Sequence, residues 1–346
     1  MVALGLRMRA PHLAVLPLLG LLASPPAVAG STAQVSIASE EDWFASQYTP
    51  GGLEVRADVR VFTLYALLNR AGHDAGPVER AHPVPVIRYT PARARVRQVL
   101  ASAPDAVLTE ARAYFAAHPE PVEVYLARVL GGPKAPGRAA SLTGLEELLA
   151  RAEQEWPLTA LRAETLPDFR FEQRAWLPLL DAPVQQATRL LGLPEGGPAP
   201  RVVVNLLEAE GSVRPVDTGQ GWVIVVGPVT RTPDAEPVVR ELARGVLSSR
   251  LSGRLGARWA GGAAALKDAR ARGAGEGTVE EYGVALLSRA LALTATGAPA
   301  GAYEAAGRDG YFGLKTLSRS FEEARPVDAW ALDGLARAVP QQAPRK

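Results

Sequence analysis

Helical periodicity dominates the first part of the chain. Apolar residues recur every three or four positions over Val55–Arg70, which predicts an amphipathic helix. The stretches 31–52, 72–90 and Gly131–Arg138 lack a sustained period, and the last two are rich in Pro and Gly, so we expect irregular structure there. Further predicted helices cover Ala92–Ala103, Pro104–Ala117, Val122–Leu130, Leu142–Trp156 and Phe169–Leu191, the last of them interrupted near Pro178 and Pro183.

The pattern changes after residue 195. Val202–Leu207 and Trp222–Val226 are short apolar runs rich in β-branched residues, and a polar stretch containing Gly joins them. These features predict two strands of a small antiparallel sheet. Asp234 then serves as an N-cap and Glu236 lies in the first turn of a helix that runs to about Leu251. The chain is thus predicted to be a mostly helical α+β protein whose small sheet packs beside this helix.

This helix carries the one sequence pattern that suggests chemistry, Arg240-Glu241-Leu242-Ala243-Arg244. Residues at positions i and i+4 lie one turn apart on the same face of a helix, and position i+1 lies about 100° around from the first. The His-Glu-x-x-His motif of zinc peptidases has the same spacing. In that motif two neutral imidazoles bind the metal and the Glu polarises a metal-bound water.

The order of elements around this pattern resembles a family. A Val-rich strand, a hairpin, a strand closed by Gly227-Pro228 and an acid-capped helix are similar to exported bacterial zincin-like families of the gluzincin type, which carry His-Glu-Phe-Ala-His on the helix. Phe62-Thr63-Leu64 and Asn69-Arg70-Ala71-Gly72 resemble the segment that these families place ahead of the catalytic domain. The resemblance covers most of residues 50–295 and implies that the helix packs beside the sheet as a zincin active-site helix does.

The two ligand positions of that motif are occupied by Arg240 and Arg244. A guanidinium stays protonated in proteins and has no free lone pair, so it cannot bind Zn²⁺. Glu241 stands where the general base would be, but without a metal-bound water it has no activated proton to remove. The sequence therefore predicts a degenerate site with neither metal nor cofactor.

The resemblance also implies a third ligand, a carboxylate on a helix further along the chain. Glu280 or Glu281, at the start of a helix that runs to about Leu293, would occupy that position. We expect one of them to form an ion pair with Arg240 or Arg244, because carboxylates left in a partly buried cleft need a cation. An alternative interpretation stays open, because Arg-Glu-x-x-Arg is also typical of an exposed, ion-paired helix face.

Other catalytic arrangements have less support. His73, His82 and His118 lie beside Gly or Pro in loop-like sequence, and none has a second His at metal-ligand spacing. The chain has no Gly-x-Ser-x-Gly elbow and no phosphate-binding Gly-rich loop. Adjacent carboxylates such as Glu146-Glu147 point in different directions on a helix, so solvated faces explain them better than acid–base pairs.

The N-terminus has the three parts of a secretory signal peptide. Arg7 and Arg9 form a basic start, Leu13–Ala23 is a short apolar run, and Ala27-Val28-Ala29 places small residues at the cleavage positions. We expect residues 1–29 to be removed after Ala29 and the mature chain to be periplasmic or extracellular. The alternative is a buried N-terminal helix. No later segment is apolar enough to anchor the mature chain in a membrane.

The amino-acid composition indicates only which classes of function are not expected. The chain is 47% hydrophobic and 21% charged, which is ordinary for a globular protein. Loss of Arg7 and Arg9 with the signal would leave equal numbers of basic and acidic residues, and no basic run is interleaved with aromatic residues. Nucleic-acid binding is therefore not expected. The chain has no cysteine and so no disulfide.

These observations predict an N-terminal helical region over 30–138 and a zincin-like domain over 139–340. The expected function is that of an exported, non-catalytic metallopeptidase-like protein that binds a peptide or protein partner. Active zincins pair an extended peptide with an edge strand, and we expect this mode to survive loss of the metal. The alternatives are an active hydrolase with a site that the sequence does not show, or a structural protein of the cell envelope.

Overall fold

The computed structural model describes residues 43–73, 78–79, 86–87, 90–193, 200–229, 233–256, 258–321, 325 and 327–339. The predicted signal peptide, its cleavage site near Ala29 and His82 lie outside these residues. All described residues belong to one unit of the chain, Ala38–Lys346. No helix in the described ranges is both long enough and apolar enough to cross a membrane.

The described residues form one five-stranded sheet and one separate pair of two-residue strands. The five-stranded sheet has the order β1-β2-β5-β7-β6, and β3 pairs with β4. The strands are β1 (Trp43–Tyr48), β2 (Glu54–Asp58), β3 (Val78–Glu79), β4 (Val86–Ile87), β5 (Arg201–Val204), β6 (Val213–Asp217) and β7 (Trp222–Val226).

Helices make up most of the described chain, so the predicted mostly helical α+β class is confirmed. The helices are α1 (Val59–Ala71), α2 (Pro91–Leu100), α3 (Asp105–Ala117), α4 (Val122–Gly131), α5 (Leu145–Glu155), α6 (Leu158–Leu190), α7 (Ala235–Leu251), α8 (Gly262–Arg270), α9 (Val279–Ala295), α10 (Ala300–Arg308), α11 (Leu314–Ser318) and α12 (Ala331–Ala338). Short 3₁₀ turns at Gly132–Lys134, Gly137–Ser141 and Val327–Ala329 complete the described elements.

The sheet is mixed, and this corrects the predicted pairing. β2 and β5 are parallel, and so are β5 and β7, whereas β6 is antiparallel to β7. The two apolar runs around Val203 and Val225 were expected to be antiparallel neighbours. They are parallel because β6 lies between them in the sequence. The chain runs along β6 in the opposite direction before it enters β7. Strands from both predicted regions, 30–138 and 139–340, belong to this one sheet.

The predicted helix over Val55–Arg70 starts later than its apolar period indicates. Val55 and Ala57 lie on one face of β2 and are fully buried, and the strand ends at Asp58. The Asp58 carboxylate accepts hydrogen bonds from the backbone N–H groups of Arg60 and Val61 at 3.0 and 3.4 Å, so it caps α1. β1 also corrects a prediction, because it lies in a stretch that was expected to be irregular.

Helix α6 is continuous where an interruption was predicted. Pro167, Pro178 and Pro183 all lie inside it. Pro167 and Pro178 are exposed and Pro183 is half-buried, whereas the face with Phe169 and Trp176 is buried. A proline leaves a carbonyl one turn earlier without its helical donor, and on the solvent side water satisfies that carbonyl.

Helix α7 packs directly on the sheet because it has no side chain at its closest point. A Cβ atom at Gly245 would lie 2.5 Å from a ring carbon of Trp222 and 3.0 Å from Cβ of Pro215. At 2.5 Å the Trp222 ring would have to move, so a side chain at position 245 would disturb the packing of α7 on β6 and β7. Helix α9 packs against α7 on its other side. The predicted motif is thereby held between the sheet and a second helix.

Candidate functional site

The predicted motif forms a row of ion pairs along α7, the α7 row, made of Glu236, Arg240, Glu241 and Arg244. Arg240 Nη1 donates to both carboxylate oxygens of Glu236 at 2.9 and 3.2 Å, and its Nε donates to Glu241 Oε1 at 3.4 Å. Arg244 Nη1 lies 4.0 Å from Glu241 Oε2. Glu241 therefore lies between the two arginines and offsets the repulsion that like charges one turn apart would have.

The predicted ion pair between α9 and α7 is wrong. Glu280 Oε1 accepts a hydrogen bond from the backbone N–H of Gly253 at 2.9 Å. Glu281 forms a capping box with Thr278, in which its Oε2 accepts from the N–H groups of Gly277 and Thr278. Both carboxylates are bound by backbone donors near the start of α9. Glu281 binds orphan N–H groups at the N-terminus of its own helix, whereas the donor to Glu280 is the backbone just after the end of α7.

The side chains of the α7 row are not open to solvent along its whole length. Those of Arg240, Glu236 and Glu241 are 25%, 21% and 20% exposed, whereas that of Arg244 is 46% exposed. The row thus combines features of both interpretations of the motif. Its pairs are local, as on an ordinary ion-paired helix face, but its first turn lies in a recess.

This arrangement does not fit a zinc ion. Arg240 and Arg244 offer only donors, and both carboxylates of the row point at those guanidinium groups. Within the described ranges no three His, Cys, Asp or Glu side chains are grouped as metal ligands are. We therefore derive no chemical step through a metal here.

The recess at the start of the row is a cleft of about 470 Å³ between α7, α9 and α10, here called the α7–α10 cleft. Its size is within the range of small-ligand pockets. One side is apolar and consists mostly of alanines, with Leu293 beside Ala298, Ala302 and Ala306. The charged groups that line it are Asp234, Glu236, Arg240, Arg289 and Asp309.

Arg289 is the cleft residue that the sequence pattern did not indicate. It lies on α9, and its guanidinium carbon is 3.7 Å from the centroid of the Tyr311 ring. The Tyr311 hydroxyl in turn donates to the buried Glu276 carboxylate at 3.1 Å. This stacking fixes the plane of the guanidinium. No motif could have found Arg289, because its partners come from two loops distant in sequence.

The acidic side of the cleft is held by α7 itself. Asp234 caps the helix by accepting from the Glu236 N–H at 3.0 Å. Burial raises the pKa of the Glu236 carboxyl above its ordinary value, although Arg240 and Arg289 act in the opposite direction. Glu236 is therefore a partly desolvated carboxylate whose ionised form depends on Arg240. The i, i+4 spacing of these two residues was visible in the sequence.

The outer edge of β6 is poorly suited to the predicted edge-strand mode of peptide binding. Thr218 donates to Gly221 and Gly227 donates to Ser212, so the even-numbered residues of β6 form the hydrogen-bonded pairs with β7. The backbone of Pro215 therefore faces outward, where it has no N–H to offer. A peptide added to this edge would lack a ladder bond at its centre. β1 is the other edge strand of the sheet, so the edge-strand mode stays a prediction.

A second polar cluster, the Glu208 cluster, lies outside the predicted site. The buried Glu208 carboxylate accepts hydrogen bonds from the Tyr65 hydroxyl, from Arg214 Nε at 2.6 Å and from its neighbour's backbone N–H at 2.8 Å. Arg214 also donates to Glu123 on α4. Burial, followed by the Glu208 charge, raises the pKa of Tyr65 well above its ordinary value, so Tyr65 remains a donor. These donors and acceptors have hydrogen-bond partners within the protein, so we assign a stabilising role to this cluster.

The described histidines serve packing. The His73 ring lies edge-on to Phe115 with centroids 5.3 Å apart, and the His118 ring stacks on Tyr114 at 4.4 Å. His118 also contacts the Tyr114 carbonyl through Nδ1 at 3.0 Å.

Comparison with known proteins identifies no family for this chain. No protein-family model matches the chain, and no curated protein and no solved structure matches it. The function is therefore argued from the residues of the cleft.

Arg244→Ala tests whether the motif connects α7 with α9. Because the Arg244 pair is exposed and 4.0 Å long, we expect its loss to change the free energy of unfolding by about 0–0.5 kcal/mol. Glu281→Gln should cost about 0.5–1 kcal/mol through the weakened capping box, and the two effects should add in the double variant. Chemical denaturation of the three variants measures this. A coupling above about 1 kcal/mol would contradict the local pairs described here.

Proposed function

We propose that this chain is an exported, non-catalytic metallopeptidase-like protein that binds a peptide segment of a partner in the α7–α10 cleft. The observation that carries the proposal is the cleft itself: an apolar wall faced by Arg240 and Arg289, at the position where the predicted motif begins. Export is proposed on the sequence pattern of residues 1–29. The metallopeptidase-like ancestry is proposed on the sequence resemblance and on the order strand, hairpin and helix.

The chemistry of the cleft supports binding rather than turnover. Arg240, its central cation, donates to Glu236 and Glu241, so both carboxylates already accept hydrogen bonds within the protein. A general base needs a free lone pair directed at a proton of the substrate. The residues of the α7 row instead form a fixed polar rim, which suits recognition of a backbone or a charged terminus beside an apolar wall.

A peptide suits this cleft better than a large folded surface. The apolar wall consists mostly of alanines, which leave room for side chains of a ligand to enter. The carboxylates of Asp234 and Asp309 at the cleft offer acceptors for amide N–H groups, and the arginines offer donors for carbonyl or carboxylate oxygens. A single extended segment can satisfy both sets while burying one or two side chains.

Binding of a random peptide library displayed with free C-termini to the purified chain tests the proposal. Enriched peptides should bind with Kd values of about 1–100 μM when synthesised and measured by calorimetry, as expected for a short segment in a small cleft. Ala302→Phe adds a ring to the apolar wall and should weaken each of them at least about tenfold. Helix α10 has no buried residue, so this substitution should leave the fold intact.

Ala113→Phe is the matched control. It adds the same ring to an exposed position on α3, away from the cleft, and should leave the affinities unchanged. Thermal melts of both variants show whether they are folded. Failure to enrich any peptide, or enriched peptides that bind the Ala302→Phe variant as well as the parent, would overturn the proposal.

A further inference from the structure

We infer that the α7–α10 cleft binds the C-terminal carboxylate of the peptide, and that Arg289 is the residue that contacts it. This inference rests on the proposed function, because it specifies which part of a peptide enters the cleft. It gives separate roles to the two arginines, with Arg240 shaping the rim and Arg289 binding the ligand.

The two arginines differ in what they already bind. The Arg240 guanidinium donates to two carboxylates of its own helix. Among the described residues, Arg289 has no carboxylate within ion-pair distance, and its buried Nε has no hydrogen-bond acceptor. Its favourable contact is the Tyr311 ring. An arginine that is partly desolvated and lacks an anion gains most from a ligand that supplies one.

The stacking also prepares Arg289 for a planar anion. The Tyr311 ring covers one face of the guanidinium, so the N–H groups along the edges remain as the donors. A carboxylate lying in the guanidinium plane can accept two parallel hydrogen bonds from the two Nη groups, since Nε is buried and out of a ligand's reach. Because the ring holds that plane before the ligand arrives, less conformational freedom is lost on binding.

A C-terminal residue fits the surroundings better than an internal acidic one. Its carboxylate and its side chain leave the same Cα atom, so both can be placed within a cleft of about 470 Å³. The side chain would contact the wall formed by Leu293, Ala302 and Ala306. Its backbone N–H can donate to Asp309 or Asp234, which carry the opposite charge to Arg289. An Asp or Glu side chain would instead keep the backbone one or two bonds further away.

The test uses three synthetic probes: N-acetyl-Ala-Ala-Leu with a free C-terminus, the same peptide as its C-terminal amide, and N-acetyl-Ala-Asp-Leu amide. Each is titrated into the ¹⁵N-labelled full chain and its Kd is obtained from chemical-shift changes. We expect the free acid to bind at least about tenfold more tightly than either amide. Arg289→Gln should remove that difference by weakening only the free acid.

Arg272→Gln is the matched control, because Arg272 also stacks on an aromatic ring, with its guanidinium carbon 4.9 Å from the Phe312 centroid, but does not line the cleft. It should leave the preference for the free acid intact.

Equal binding of acid and amide, or a preference that survives Arg289→Gln, would overturn the carboxylate assignment. Peptide binding itself would still stand if library peptides bind and Ala302→Phe weakens them. Equal binding of the free acid and the Asp-containing amide would assign Arg289 to side-chain carboxylates and overturn the C-terminal assignment.

Discussion

Arg214→Met is expected to lower the free energy of unfolding by about 3–5 kcal/mol, the largest loss that we predict for this chain. The Glu208 side chain is only 1% exposed, and Arg214 is its one cationic partner among the described residues. Removing the guanidinium leaves a buried carboxylate with only the Tyr65 hydroxyl and one backbone N–H to stabilise its charge. Chemical denaturation at neutral pH measures the loss.

Two further variants show whether the buried charge is the cause. Glu208→Gln combined with Arg214→Met removes both charges, so the double variant should be more stable than Arg214→Met alone. Arg151→Met breaks a pair with Glu110 in which both side chains are 44% exposed, and should cost about 0–1 kcal/mol. A similar cost for Arg151→Met and Arg214→Met would show that burial of the Glu208 cluster does not matter.

Glu172→Gln is expected to stabilise the chain at high pH and to have almost no effect at low pH. Glu172 lies on α6, where its Oε1 accepts from the Val229 N–H at 3.4 Å and its buried Oε2 has no partner. Burial raises the pKa of this carboxyl from its ordinary 4.5 to about 7, with a smaller contribution from Asp168, while the Val229 hydrogen bond acts in the opposite direction. The folded chain therefore binds a proton that the unfolded chain releases.

A carboxyl with a higher pKa in the folded state makes stability fall as pH rises between the two pKa values. For Glu172 this loss develops from about pH 4.5 to about pH 7 and is complete above that. Because glutamine resembles the neutral acid, the variant should gain on the order of 2 kcal/mol over the parent at pH 8 and about zero at pH 4.5. Urea denaturation at a series of pH values measures the difference.

Glu164→Gln is the control for this experiment, since Glu164 lies on the same helix but its side chain is 48% exposed in a pair with Arg95. It should show little dependence on pH over the same range. A gain for Glu172→Gln that is constant from pH 4.5 to 8, or a loss at pH 8, would contradict the buried charge proposed for Glu172.

Local signals in the sequence were sufficient for two of the strands and for most of the longer helices, whereas α8, α10, α11 and α12 were not predicted. The predicted helix over Pro104–Ala117 and the one ending near Leu251 correspond closely to α3 and α7, because their caps and apolar periods agree. β1 and the parallel pairing of β5 were missed for a different reason. A strand of four to six residues is stabilised by neighbouring strands that are far away in the chain, and the local sequence pattern does not identify those neighbours.

The candidate site was predictable only where one helix contains it. The spacing of Arg240, Glu241 and Arg244 placed them together, and the structure shows them in one row. The predicted partners Glu280 and Glu281 were wrong because backbone donors compete for both carboxylates, at the start of α9 for Glu281 and just after the end of α7 for Glu280. Arg289 and its Tyr311 support depend on helix–helix packing, which is a property of the assembled chain.

The proline at the outer edge of β6 has a consequence for how this protein behaves at high concentration. An open strand edge is a template on which further copies of a chain can add, and this is one route to fibrous aggregates. Pro215 withholds the central donor of that edge, and its ring is held against Gly245 of α7, so it cannot turn away. Pro215 therefore hinders the addition of further strands at β6. The same residue also limits how closely α7 can approach the sheet.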